Sequence, residues 1–558
     1  MRGMQQERAQ DPGAQAPPAD TGRFQGLSLL LLSTLALPWL NPTAGGPSAV
    51  VQPWLVAATA TVLAWHLVAP AVTRLQLGIA VLAAGMLAGL GQAAPPVLLA
   101  IGGLIAIVIS AAVATSSASR PWIASAIVDA WLVAALVSSA IALVQYFGFS
   151  SQLAPWANVT EAGDAFANLR QRNQFATLTS IGIAAVMWRV QHGSKLAWAL
   201  PAALLLVAAN AASASRTGVL QVAMLVALAL WWNRPAWRAC GSVCLVVVLG
   251  YALAAIALPL SLEQVAGVSA PNALLRLVSG DGCSSRTILW GNVLHLIAQK
   301  PWWGWGWGEL DFAHFATLYP GARFCDILDN AHNLPLHLAV ELGVPVAVLV
   351  CVALAWWLLR GRPWVEPDPT RQLAWSVIAV ILLHSLLEYP LWYGPFQMAF
   401  GLSLGLLARH RSRAATNPAG PLGRGAVSVA LTLALAYTAW DYHRVSQLYA
   451  TPAQRSVLHR DQPLPRAGDS WLFRDQLAFA QLSITPLTRE NAADMHALAM
   501  ALLHYSPEPR VIEMALESAM WSGREDHAIW LLARLRAAFP AEAAKAAAAP
   551  APAARLRH

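Results

Sequence analysis

Charge is scarce in this chain of 558 residues: Asp, Glu, Lys and Arg together make 11% of it, against roughly a quarter in a soluble domain. That poverty, beside 57% hydrophobic residues, excludes a water-soluble globule. Cysteine is scarce as well. The five, at 240, 244, 283, 325 and 351, form no CxxC pair and no Cys/His array at zinc spacing, which argues against a structural metal site. Lys and Arg number 36 against 28 Asp and Glu, but they sit in short clusters between apolar runs and make no continuous basic groove for a nucleic acid. No Gly-Lys-Ser/Thr follows GWGWG (304–308) and no strand precedes it, so it is not a nucleotide phosphate loop.

What fills the chain instead is apolar runs of spanning length. They lie at about 26–40, 48–69, 75–92, 95–116, 123–147, 173–190, 196–213, 217–233, 239–260, 333–359, 372–390, 393–408 and 425–441. The pattern predicts an all-α polytopic membrane protein with about thirteen transmembrane helices in a lipid bilayer. Residues 1–25 are polar and read as a disordered tail, too long a lead for a cleaved signal peptide. Every second connection carries Lys or Arg: Arg74; Arg120; Arg189 and Lys195; Arg234 and Arg238; Arg360, Arg362 and Arg371; Arg409, Arg411, Arg413 and Arg424. The others are nearly uncharged, as at 41–49 and 91–96, or acidic, as at 161–164. Cytoplasmic loops are the basic ones, so an odd number of spans puts the N-terminus inside and the C-terminus outside.

Two outer segments are large. One is the loop 261–332; the other, 442–540, carries amphipathic patterns such as RVIEMALESAMW (510–521) and reads as a small helical, repeat-like domain. The transmembrane domain is then 26–441, and the Ala- and Pro-rich stretch 541–558 reads as a second disordered tail.

Ionisable side chains at membrane depth or at its edge are costly without a partner or a purpose. On the outer side they gather at five places. NLRQRNQFATL (168–178) sets Arg170, Gln171, Arg172, Asn173 and Gln174 at a helix mouth, with interfacial snorkelling as the plain alternative. SASRTGVL (213–220) puts Arg216 against the positive-inside trend. In SSRTILW (284–290), Arg286 stands in a first helical turn behind Ser284 and Ser285, good capping residues. A cation there opposes the helix dipole unless an anion shares the site, and Arg grips pyrophosphate oxygens bidentately. ILDNAHNLPLHLAVELG (327–343) brings Asp329, Asn330, His332 and Asn333 to another helix mouth. Imidazole is suited to take a proton near neutral pH, although a His beside a membrane is commonly a hydrogen-bonded structural residue. HSLLEYPLWYGPF (384–396) places His384 and Glu388 on one helical face, followed by Tyr389 and Tyr393, where an aromatic belt is the plain alternative.

The ordered motifs QRNQFATL (171–178), SRTG (215–218), SRTILW (285–290) with PWWGWGWGEL (301–310), AHNLPLHLAVELG (331–343) and HSLLEYPLWY (384–393) resemble the O-antigen ligase superfamily. Within it they resemble the bacterial protein O-oligosaccharyltransferases of the pilin-glycosylating type, over about 150–540. The resemblance implies a glycosyltransferase of the bacterial inner membrane. It would move an oligosaccharide en bloc from undecaprenyl pyrophosphate to a Ser/Thr hydroxyl of a pilin or other periplasmic protein, with no cofactor, no essential metal and no nucleic acid. By similarity, Arg216 and Arg286 would hold the pyrophosphate, and His332 would act as general base or position the acceptor. Gln171, Arg172, Asn173, Asn330 and Asn333 would bind substrate, and Glu388, Tyr389 and Tyr393 join them through the EYPLWY match.

The near alternatives share the fold: an O-antigen ligase acting on a lipid A core sugar, and an O-antigen polymerase. The outer C-terminal domain and EYPLWY favour a protein acceptor. A membrane transporter is the alternative from another class, against which stand the lack of a two-fold repeat and the gathering of ionisable groups at one face. Cys283 and Cys325 are the cysteines of the outer loop, three residues before Arg286 and seven before His332, and in an oxidising compartment they are expected to form a disulfide.

Overall fold

The computed structural model describes residues 21–43, 46–70, 78, 95–232, 237–269, 282–408 and 420–548. Helices stand at twelve of the expected spans. The expected helix 75–92 lies outside the described residues apart from position 78, as do 1–20 and 549–558 of the expected tails. Among the described residues, six helices are long and apolar enough to cross a membrane: Val51–Val68, Leu99–Ala118, Trp122–Tyr146, Cys240–Ala266, Val344–Val365 and Pro421–Ser446. Gln25–Leu40, Leu196–Ala212, Arg216–Trp232 and Gly394–Ala408 are apolar but shorter. The chain is a multi-pass helical membrane protein, as expected where lipid offers the backbone no hydrogen-bond partner and each segment must satisfy its own.

Large side chains fill the interior, among them Trp39, Trp65, Trp131 and Phe396. The helix Val344–Gly361 does the reverse, leaving Leu349, Val352 and Leu359 exposed, a face that lipid and not water would cover. A buried polar layer ties four helices together. The Gln221 amide donates to Thr177 Oγ1 (2.8 Å) and to the Val380 carbonyl (2.9 Å), Thr177 Oγ1 meets His384 Nδ1 (2.9 Å), and Asn210 donates to Thr179 Oγ1 (2.8 Å). Unpaired, these groups would be expensive in an apolar surrounding, so the layer fixes how Arg172–Gln191, Leu196–Ala212, Arg216–Trp232 and Pro369–Ser385 are rotated about one another.

The run 333–359, expected as one helix, is two: Leu334–Leu342 and Val344–Gly361, broken at Gly343. The segment 301–308 lies against the break. Trp305 N–H donates to the Val340 carbonyl (2.9 Å), Gly306 N–H to that of Glu341 (3.0 Å), and Val344 N–H to that of Pro301 (2.8 Å). The first two satisfy carbonyls at the end of the short helix that no intrahelical partner reaches, and the third satisfies an N–H at the start of the next helix. Only glycine allows the approach: a Cβ on Gly343 (φ 89°) would stand 2.2 Å from the Trp302 carbonyl oxygen, and one on Gly304 (φ 67°) 2.3 Å from that of Glu341. Gly304 of GWGWG therefore serves backbone packing.

Helices Arg474–Ile484, Ala492–Leu502, Pro509–Trp521, Glu525–Ala538 and Pro540–Ala548 share one core that includes Leu482, Met495, Leu502, Ile512 and Leu531. The last of them occupies the start of the stretch expected to be a disordered tail, with Ala543 buried in that core. Likewise the first helix, Thr21–Leu40, takes in the end of the expected N-terminal tail. Phe315, on the loop helix Leu310–Ala316, enters the C-terminal core, Arg534 Nε donates to the Ala316 carbonyl (2.9 Å), and His504 Nδ1 sits 2.7 Å from Glu309 Oε2. The C-terminal helices are thereby fastened to the loop.

Candidate active site

Capping residues set the frame. The Gln171 side chain accepts from Gln174 N–H (2.7 Å) at the start of Arg172–Gln191, and Ser215 Oγ from Gly218 N–H (3.0 Å) at the start of Arg216–Trp232. Ser285 Oγ accepts from Ile288 N–H (3.4 Å) at the start of Arg286–Gln299, and Asn333 Oδ1 from Leu336 N–H (3.1 Å) at the start of Leu334–Leu342. Each cap fixes where its helix begins, and so where the neighbouring Arg172, Arg216, Arg286 or His332 stands.

Glu388 joins these pieces. The helix Pro369–Ser385 ends before it, so Glu388 does not continue a helical face with His384 as expected; it occupies the following turn, its N–H bonded to the His384 carbonyl (2.8 Å). The His384 ring turns inward to Thr177 and takes no part. Glu388 Oε1 accepts from Arg286 Nη2 and from Asn173 Nδ2 (3.1 Å), while Oε2 faces His332 Nδ1 at 2.6 Å. Asn173 Oδ1 in turn accepts from Ser215 Oγ (2.6 Å). Burial alone would raise the Glu388 carboxyl, but the His332 hydrogen bond and the charges of His332 and Arg286 outweigh it and hold the group below the usual carboxylate range. It is an anion at neutral pH.

His332 has φ 49°, a left-handed conformation uncommon for a residue with a Cβ, and its N–H donates to Asn330 Oδ1 (2.9 Å). Six non-glycine residues among those described have positive φ, and four of them, Ala167, Arg170, Ala214 and His332, stand in the segments that build the site. Strain of this kind persists where surrounding structure over-determines it, as functional sites do. Tyr389 meets the His332 ring edge-on (5.1 Å, 86°) and stacks on Tyr393 (5.9 Å, 23°). Burial pushes Tyr393 up to about 12 and raises Tyr389 as well, so both hydroxyls remain protonated donors.

Beside Glu388 opens a cavity of about 620 Å³ bordered by Arg170, Arg172, Arg216 and Arg286. Among the described residues, the carboxylates on its wall are Asp164, paired with Arg172, and Glu388, paired with Arg286. Guanidinium groups from four arginines on one wall suit an anionic ligand.

Of the residues singled out by sequence, Gln171, Arg172, Asn173, Arg216, Arg286 and Glu388 line this one cavity, with His332 bonded to Glu388 and Tyr389 and Tyr393 against it. Asn330 and Asn333 have scaffold work: the first receives the His332 N–H, and the second, besides its cap, donates to the Leu386 carbonyl (3.0 Å). Through these bonds both residues help to position the segment that carries His332. Cys283 and Cys325 form a disulfide with Cα atoms 5.6 Å apart, joining the segment that leads to Arg286 with the one that leads to His332. Three neighbours escaped sequence reasoning: Asp164, visible only as part of an acidic outer loop; Ser215, hidden in a cap; and Trp290, whose Nε1 donates to the Ala331 carbonyl (3.1 Å).

Three family models match the chain in order: "Protein glycosylation ligase" over 165–190, "O-Antigen ligase" over 201–351, and "Virulence factor membrane-bound polymerase, C-terminal" over 372–554. Among them they contain every candidate site residue. A "General O-oligosaccharyltransferase" of Acinetobacter baylyi is 25% identical over 285 residues, 49% of this chain and 48% of the relative. A "ComP-specific O-oligosaccharyltransferase" of the same organism is 26% identical over 125 residues, 22% of this chain and 23% of the relative. The match therefore spans about half the length of the first relative and under a quarter of the second. The chain is thus similar to the O-antigen ligase family and to two O-oligosaccharyltransferases across the segments that carry the site.

Proposed function

We propose that the chain is a glycosyltransferase that moves an oligosaccharide en bloc from undecaprenyl pyrophosphate to a Ser or Thr hydroxyl of a periplasmic protein, of which a pilin is the first candidate. The observation that carries this reading is Glu388, one carboxylate bridging Arg286 and His332 at the wall of an arginine-lined cavity. It couples the cation suited to the donor's pyrophosphate with the imidazole suited to the acceptor's proton.

In this reaction the acceptor oxygen attacks C1 of the first sugar and the C1–O bond to the phosphate breaks. The hydroxyl proton passes to His332 Nε2, since Nδ1 faces Glu388, and the bonding pair leaves with the carrier pyrophosphate, whose growing charge Arg286 and Arg216 neutralise. In-line attack inverts the anomeric centre, and a product of retained configuration by NMR would contradict it. The reading places the N-terminus in the cytoplasm, and the loop 261–332 and the helical unit 442–540 on the periplasmic face of the inner membrane.

The test is co-expression with a carrier-linked glycan pathway and a pilin. Glycan on the pilin is the expected result. Glycan on lipopolysaccharide alone would move the assignment to the second reading, an O-antigen ligase acting on lipid A core, which the match over 201–351 favours.

A further inference from the structure

A second cavity, of about 480 Å³, opens among the loop, the membrane body and the C-terminal helices, and it shares no lining residue with the arginine cavity. It adjoins the catalytic residues: Asp329, three positions before His332, is on its wall, and Tyr389 reaches from the His332 ring (5.1 Å) to that of Trp392 (6.5 Å). Trp307 and Trp392 stack at 5.9 Å and 16°, and both stand edge-on to His337.

The most deeply buried polar side chains of the wall are only partly satisfied: the Gly308 and Leu310 amides face the Glu341 carboxyl but make no well-formed bond to it. Glu341, His337 and Gln476 are 1%, 2% and 1% exposed, and neither oxygen of the Glu341 carboxyl, nor His337 Nδ1, nor Gln476 Oε1 has a well-formed hydrogen bond; Glu341 Oε2 lies 3.4 Å from His337 Nε2. A buried polar atom without a partner is costly. The three side chains that carry these four atoms come from two distant parts of the chain and line one cavity.

We propose that this cavity binds the sugar portion of the donor, a neutral polyhydroxylated saccharide, an assignment that rests on the transfer reaction above. A hydroxyl both donates and accepts, so a row of them meets a carboxyl, an amide oxygen and an imidazole nitrogen together. The indole walls suit the C–H faces of pyranose rings. A peptide offers N–H and C=O in fixed alternation and fits this set less well, while Glu309 and Asp475 on the same wall, beside Arg474, leave no net positive lining for a second phosphate. Because Gln476 lies on the helix Arg474–Ile484, the C-terminal unit takes part in reading the glycan.

The experiment uses the full chain in detergent and, as probe, the free oligosaccharide released by mild acid from the same carrier-linked glycan used in the transfer assay. Saturation-transfer NMR should show ring protons of the probe bound to the wild type. Gln476→Leu and Trp392→Ala, each checked by thermal unfolding, should weaken binding about tenfold, the loss of one good contact. Arg216→Ala should leave it unchanged. No signal, equal binding by both variants, or displacement of the probe by a Ser-rich peptide overturns the proposal. Transfer without this binding overturns the sugar site alone, and binding without transfer to any acceptor overturns the reaction alone.

Discussion

His332→Ala and Arg286→Ala should abolish transfer while membrane insertion, read by fractionation, stays intact; wild-type glycosylation by either removes its assigned role. Glu388→Gln keeps the shape but removes the charge shared by Arg286 and His332, and should lower kcat on the order of a hundredfold, the low end of general-base effects, with KM for the donor changed less. A second test concerns Glu341, on the short helix outside the span Val344–Val365. Burial raises its carboxyl from 4.5 to about 8, in spite of the Gly308 and Leu310 amides that face it. The folded state holds this proton more tightly than the unfolded chain, so the contribution to stability is full below 4.5 and lost as pH rises through about 8. Glu341→Gln should flatten the fall in unfolding temperature between about pH 5 and about pH 8, and parallel curves for variant and wild type would refute the assignment. Arg216, Arg286 and His332 were legible in the sequence because such side chains are conspicuous among apolar runs. The central place of Glu388 was not, since its partners lie 56, 102 and 215 residues away and no local pattern encodes them.

At the scale of elements, hydropathy located the apolar helices and capping residues located several starts, Ser285 among them. Periodicity could not show the break at Gly343, because the run 333–359 is apolar throughout and the interruption comes from a backbone that packs on it from 301–308. Glycine spacing in GWGWG was visible, but its meaning depended on a partner some forty residues on. Gly304→Ala combines a left-handed φ with a Cβ held 2.3 Å from a backbone oxygen, and neither can relax by a rotamer change. We expect a loss of more than about 1 kcal/mol, seen as a lower unfolding temperature, and reduced transfer through displacement of the helix that follows His332. An unchanged unfolding temperature would show that the clasp contributes little.

For the whole molecule, the disulfide closes a stretch with a sequence separation of 42, which in a chain-entropy model stabilises by about 4 kcal/mol. Protein isolated without reductant should resist alkylation at Cys283 and Cys325, and Cys283→Ser with Cys325→Ser should unfold at lower temperature; two freely alkylated thiols would contradict the bond. The outward placement of the last helices is checked by a phosphatase fused after residue 548, expected to be active in the periplasm. Phe315, finally, belongs to a core whose other members lie between 482 and 543. The loop that carries Arg286 and His332 therefore completes its contacts only once those later residues are in place. On the proposed function, a chain cut before 482 should carry both residues and yet transfer no glycan.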